Sequence, residues 1–223
     1  MTPRRVLVIA PHPDDEVLGV GGTIARLASE GAEVHVVIAT TGYPPAFDAA
    51  LTQQGRREAR CAHELLGVRE TVFLPFPAAG LDTVPHSEMN AAFGEAMARV
   101  RPDALFVPFN GDIHRDHQRV FASALVAARP GGPHRPAAIY AYETLSETNW
   151  NAPYLTPGFA PNVFVEITEQ LETKLEAMRR YASQVKPAPN ERSVETLRAL
   201  ATLRGSTIAV AAAEAFVLVR QVL

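Results

Sequence analysis

Short, largely apolar runs rich in β-branched residues recur through the first two-thirds of this chain, and each alternates with a segment of helical spacing. "RVLVIA" (5–10) precedes Val17, Val20, Ile24 and Leu27 at helical intervals, and "AEVHVVIAT" (32–40) follows. "ETVFLPF" (70–76), "DALFVPF" (103–109) and "AAIYAYE" (137–143) continue the series. Helical patterns run from about Gln53 to Leu66, near 88–100 and near 114–128. A strand without polar alternation has no face for water, so helices must cover both sides of its sheet. The expected fold class is therefore α/β: a single-domain, Rossmann-like, mostly parallel sheet flanked by helices. At 223 residues the chain suits one domain with a well-filled core.

The last third changes character. Residues 1–145 are expected to form the sheet core and residues 146–223 a C-terminal extension of helices and strands packed on it. The proline-rich "NWNAPYLTPGFAPN" reads as an ordered loop beside a cleft, and "NVFVEI" as a strand. Thr168 is expected to cap a helix with Glu169 and Glu172 in its first turn and Arg179 and Arg180 near its end. After "KPAPN" breaks the chain, Ser193 is expected to cap a last helix that Gly205 ends.

Charge and cysteine usage exclude several classes. A formal net charge of −3 with no basic stripe argues against a nucleic-acid binder. The single cysteine, Cys61, excludes an intramolecular disulfide and a cysteine zinc cage. The apolar run Val6–Ala10 is too short for a signal peptide, and "IAVAAAEAFVLV" is interrupted by Glu214, so no membrane insertion is expected and the cytoplasm is the expected location.

Chemistry concentrates in two places, each directly after a strand. His12, Pro13, Asp14, Asp15 and Glu16 follow the first strand. Three adjacent carboxylates repel one another, and a cation is the obvious compensation. "NGDIHRDHQRV" (110–120) follows "DALFVPF". Here Asp112 is a plausible N-cap, and His114 and His117 share a helix face with Phe121 and Leu125. In an open parallel sheet, ligands bind beyond the carboxyl ends of the strands, so both segments can serve one crevice. A helix N-terminus disfavours imidazolium, so both histidines are expected to be neutral, the form that binds metal. Two histidines and a carboxylate suit an open catalytic zinc site, and a neighbouring free carboxylate suits a general base. The same donor set also describes a non-haem iron(II) oxygenase, and His12-Pro13-Asp14 matches its H-x-D element. That triad, however, usually sits in an all-β barrel. "GVGG" (19–22) is not a dinucleotide fingerprint, because Ile24 stands at the third glycine position and Glu33 comes too soon. Those glycines are expected to let the helix pack closely.

Across residues 4–130 the sequence resembles the PIG-L/LmbE-like N-acetylglucosaminyl deacetylase family, through "APHPDDEVLGVGGTIARL", "REARCAHELLGV" and "HRDH". The resemblance implies a zinc-dependent hydrolase (other divalent ions such as Fe2+ are open) acting on an N-acetylated sugar or glycoconjugate. It implies His12, Asp15 and His117 as metal ligands and Asp14 as general base. His114 is then the residue that stabilises the oxyanion or protonates the leaving amine, and Asp116 the one that orients a histidine. It also implies a homo-oligomer, a trimer or hexamer. The family's substrate-contacting arginine falls at Gly55, so Arg56 is the candidate replacement. Glu143, Asn149 and Trp150, beside the proline-rich loop, are further candidate sugar contacts. A catalytically inactive sugar-binding relative is disfavoured because every expected catalytic position is filled.

Overall fold

The computed structural model describes residues 3–223. One sheet contains β1 (Arg5–Ala10), β2 (Glu33–Thr41), β3 (Glu70–Pro77), β4 (Ala104–Pro108), β5 (Ala138–Tyr142), β6 (Val163–Glu166) and β7 (Ala213–Gln221). Its order is β3-β2-β1-β4-β5-β7-β6. The first five strands pair in parallel, β7 runs antiparallel to β5, and β6 antiparallel to β7. The expected Rossmann-like, mostly parallel sheet is thus what the chain forms, and the C-terminal extension adds two strands to its edge. Much of the interrupted apolar stretch near the C-terminus becomes β7.

The helices are α1 (Asp15–Ser29), α2 (Ala49–Leu66), α3 (His86–Val100), α4 (Arg115–Ala127), α5 (Leu171–Arg180) and α6 (Val194–Ser206). β1 shows why its sequence is apolar throughout. Val6, Val8 and Ala10 pack into the core shared with α1, α2 and α5, while Leu7 and Ile9 enter the core shared with α3 and α4. All five are at most 1% exposed.

Local chemistry sets the helix ends. α2 starts ahead of Gln53 because the Asp48 carboxylate accepts from the amides of Ala50 (2.7 Å) and Leu51 (3.2 Å), and it stops at Gly67 with φ +77°. Ser193 does cap α6, accepting from Thr196 N at 3.1 Å. Thr168 does not cap α5: its hydroxyl donates to Glu166 at 3.1 Å, and Gln170 holds the N-cap position. Gly205 does not stop α6 but lies in its last turn, where a Cβ would stand 2.6 Å from the Val210 carbonyl oxygen as the chain doubles back.

The close packing of α1 has an unexpected buttress. A Cβ on Gly22 would meet Ile167 at 2.6 Å, so only glycine permits the approach. Through the same narrow face, Glu214 accepts from the mid-helix amides of Gly22 (2.9 Å) and Thr23 (2.7 Å). Lys174 donates to the Leu18 carbonyl (2.8 Å) and to Glu214 (2.5 Å), completing a buried ion pair lodged against the helix backbone.

Candidate metal and active site

The strand order reverses between β1 and β4, and a crevice opens beyond their carboxyl ends. His12 to Asp15 follow β1, and Asp112 to His117 follow β4, so the two segments about a hundred residues apart meet there. Ligand atoms of His12, Asp15 and His117 all lie within 4.8 Å of one another, as do those of His12, His114 and Asp116. His12 Nδ1 and His117 Nε2 each stand 3.3 Å from Asp15 Oδ2.

Each ring is oriented from behind. His12 Nε2 bonds Asp116 Oδ2 at 3.0 Å, and Asp116 is itself held by the amides of Ala79 (2.7 Å) and Leu81 (3.1 Å). His117 Nδ1 bonds Asp112 Oδ2 at 2.8 Å, and the other Asp112 oxygen accepts from Thr148 Oγ1 at 2.6 Å. Asp112 is therefore not the N-cap of α4. His114 is, its Nδ1 accepting from Asp116 N at 3.1 Å, because the buried Asp112 carboxylate is committed to His117.

Asp14 turns the chain from strand to helix with φ +110°, a left-handed backbone that costs a non-glycine residue energy and recurs at functional sites. Its carboxylate is 1% exposed and meets Arg192 Nη1 at 3.3 Å. Arg192 is also held by Ser146 (3.1 Å), Glu147 (3.4 Å) and Gln184 (3.4 Å).

The charges follow from these contacts. Burial opposes charge on His117, but Asp15 and Asp112 outweigh it and lift the ring to about 10. Burial opposes charge on His12 too, and bonds to Asp116 and Asp15 lift it to about 9. Asp15 resists burial through His117 and His12 and is held well below the usual carboxylate range. Burial lowers His114, and the nearby His12 and His117 rings add to that against the pull of Asp116. Without a metal, His114 is thus held below the ordinary imidazole value, whereas two carboxylates raise His117 against the helix N-terminus, so metal binding there would displace a proton. Asp14 is pushed up to about 8, burial being opposed by Arg192 and reinforced by Asp15 and Glu16.

A metal fits the donor set. Asp15 Oδ1 and His117 Nε2 are buried without a hydrogen-bond partner, whereas the opposite nitrogen of each of the His12 and His117 rings, Nε2 and Nδ1 respectively, is bonded to an acid. Two buried, unpartnered ligand atoms beside a second imidazole and a carboxylate oxygen suit a metal ion.

Around this centre lies a cleft of about 430 Å³, lined among others by Asp14, Phe47, Leu51, Gly55, Arg56, His114, Glu147 and Arg192. Arg56 is brought to the cleft. Glu143, Asn149 and Trp150 are not among its lining residues. Glu143 forms a two-pronged pair with Arg204 (2.8 and 2.6 Å), Asn149 binds Glu191 and the Ser146 amide, and Trp150 is 58% exposed. Sequence reading missed Arg192, Glu147 and Asp112. Only Asp112 carried a signal, as the acid of the turn before the histidines. Glu16, which had no assigned role, is fully buried and accepts from Tyr181 Oη (2.5 Å) and His63 Nε2 (3.0 Å).

A doubly wound sheet that gathers the ligand atoms of His12, Asp15 and His117 within 4.8 Å at its switch point, the last two residues buried, defines an α/β protein with a candidate metal centre. The family pattern described as PIG-L, GlcNAc-PI de-N-acetylase, matches residues 7–128, and the chain belongs to that family of metal-dependent deacetylases. It is 31% identical to 1D-myo-inositol 2-acetamido-2-deoxy-alpha-D-glucopyranoside deacetylase of Kineococcus radiotolerans, over 82% of this chain and 69% of that one. Among solved structures it is similar to the conserved protein TT1542 of Thermus thermophilus, with TM-score 0.80, 30% identity, and coverage of 98% of this chain and 96% of that one. It is also similar to N,N'-diacetylchitobiose deacetylase of Pyrococcus horikoshii, with TM-score 0.77, 29% identity, and coverage of 97% and 84%. Membership in this family sets the oxygenase reading aside. Among the described residues, no helix is long and apolar enough to cross a membrane.

Proposed function

We propose that this protein is a zinc-dependent N-deacetylase that cleaves the acetamido group of an N-acetylglucosamine-type sugar or its conjugate, releasing acetate and a free amine. The observation that carries the proposal is the convergence of His12, Asp15 and His117 with two orphaned ligand atoms beside the unligated Asp14. The sugar class is supported by the names of the Kineococcus and Pyrococcus relatives.

In this reading His12, Asp15 and His117 hold the ion. A divalent cation supplies Lewis acidity, polarising the amide carbonyl and making water acidic enough to attack near neutral pH. Asp14 takes the proton of the attacking water and delivers it to the departing nitrogen. Without a metal, burial leaves Asp14 at about 8 despite Arg192, 3.3 Å away; beside a cation held by His12, Asp15 and His117 its carboxyl would be lowered further and could act as a base near neutral pH. His114 accepts the Asp116 amide at Nδ1, so its neutral ring carries the proton on Nε2, where it can donate to the oxygen that gains charge as the carbonyl carbon becomes tetrahedral. Asp116 and Asp112 fix the orientations of His12 and His117. Arg56 contributes a donor to the substrate from the cleft wall.

The test is a liberated-amine assay on a panel of N-acetylated sugars with zinc, with chelator, and after zinc is restored. Activity should vanish and return. Asp14→Asn should keep one zinc per chain yet lose roughly 10²–10⁴-fold in kcat. Turnover unchanged by chelator or by Asp14→Asn would falsify the proposal.

A further inference from the structure

Gly55 weakens α2 for no reason that packing supplies. Glycine in a helix interior is unfavourable relative to alanine, and the other buried glycines of this chain answer to close contacts. A Cβ on Gly22 or Gly205 would stand 2.6 Å from a neighbouring atom, whereas a Cβ on Gly55 would have nothing within 4 Å. Gly94 of α3 also faces open space, but it does not border the cleft. Gly55 is buried and lines it.

The surroundings of that gap are specific. Leu51 lies one helical turn before Gly55 and is 61% exposed; Phe47 faces the same cleft and is 38% exposed. Apolar side chains grouped on the wall of a cleft beside a polar centre are the usual lining of a small-molecule site. Arg56, next along the helix, donates to Thr41 Oγ1 at 2.6 Å and stacks over Phe73 at 5.2 Å. It has no carboxylate partner among the described residues. The result is an apolar shelf with a vacant notch, continuous with the catalytic centre and bounded by a guanidinium.

We propose that Gly55 is a specificity-determining residue. The notch over it, between Leu51 and Phe47, receives an apolar group attached to the acetamido sugar, so the enzyme favours an aryl- or alkyl-substituted 2-acetamido sugar over the free monosaccharide. The proposal rests on the deacetylase reading and adds to it the chemical class of the second moiety.

The experiment compares kcat/KM for N-acetylglucosamine and for its phenyl β-glycoside in the zinc-loaded wild type, Gly55→Ala and Gly55→Leu. The wild type should favour the phenyl glycoside at least about tenfold. Gly55→Leu should reduce that ratio about tenfold or more, mainly through KM for the glycoside, because its side chain fills the notch. Gly55→Ala should unfold at a higher temperature than the wild type, since it replaces a helix-interior glycine where space is free. Equal wild-type activity on the two sugars, a ratio unmoved by Gly55→Leu, or a lower melting temperature for Gly55→Ala would each overturn the inference. Failure to release amine from either sugar would instead overturn the deacetylase reading, and this inference with it.

Discussion

Lys174→Met should destabilise the protein by about 4 kcal/mol, because it strands a carboxylate inside the helix layer. The side chains of Lys174 and Glu214 are each 4% exposed, and the ammonium is 2.5 Å from the carboxylate. Removing one partner of a buried pair costs about 3–5 kcal/mol. The lower half of that range applies, because Glu214 keeps its bonds from the Gly22 and Thr23 amides. A further ~1 kcal/mol is expected because the Leu18 carbonyl, which Lys174 reaches at 2.8 Å, loses that donor. Against a total stability of about 5–15 kcal/mol, the variant still folds at 25 °C but melts roughly 8–16 °C lower. Urea titration followed by circular dichroism measures the loss directly. Adding Glu214→Gln to Lys174→Met should recover about 2 kcal/mol, since the second change removes the uncompensated charge. A single-variant loss under about 1 kcal/mol, or a double variant no better than the single, would refute the argument that the pair is dry and coupled.

The remaining expectations concern the site. In chelator-stripped protein His12 and His117 should titrate at about 9 and about 10, above the unfolded value of 6.5. Their contribution to the stability of that protein is therefore complete below pH 6.5 and lost as pH rises through 9 to 10. Metal must displace those protons, so calorimetry in buffers of different ionisation enthalpy should show release of about two protons per zinc at pH 7; release of none would contradict the assignment. Arg192→Met should lower kcat about tenfold or more with a smaller effect on KM, and Arg192→Lys should restore part of it. Equal activity in all three proteins would remove Arg192 from the mechanism. Tyr181→Phe deletes the 2.5 Å bond to the buried Glu16 and should cost roughly 1.5–3 kcal/mol in urea unfolding, with zinc stoichiometry retained.

The strands were legible because burial on both faces leaves a mark in the sequence itself: β1 and β4, inside the sheet, are apolar almost throughout, whereas the edge strand β3 is only half-buried. Helix ends were legible where one side chain bonds its own first turn, as at Ser193, and misread where another side chain claimed the capping group, as Glu166 does that of Thr168. Asp112 has the sequence of an N-cap but spends its carboxylate on His117. Glu214 looked like an interruption in an apolar run, and becomes the buried partner of Lys174, 40 residues earlier. Glu16 binds Tyr181, 165 residues away.

By itself, the sequence determined the alternating architecture and the pairing of His12–Asp15 with His114–His117, because local periodicity and strand-end position are properties of neighbouring residues. Only the tertiary structure decided which acids orient which rings, that His117 gathers two carboxylates, that Arg192 reaches Asp14 from 178 positions away, and that Glu143 pairs with Arg204 instead of lining the cleft. The physical reason is that the balance of burial against partner charge at each group is set by side chains that meet only when the sheet closes and its last two strands are in place.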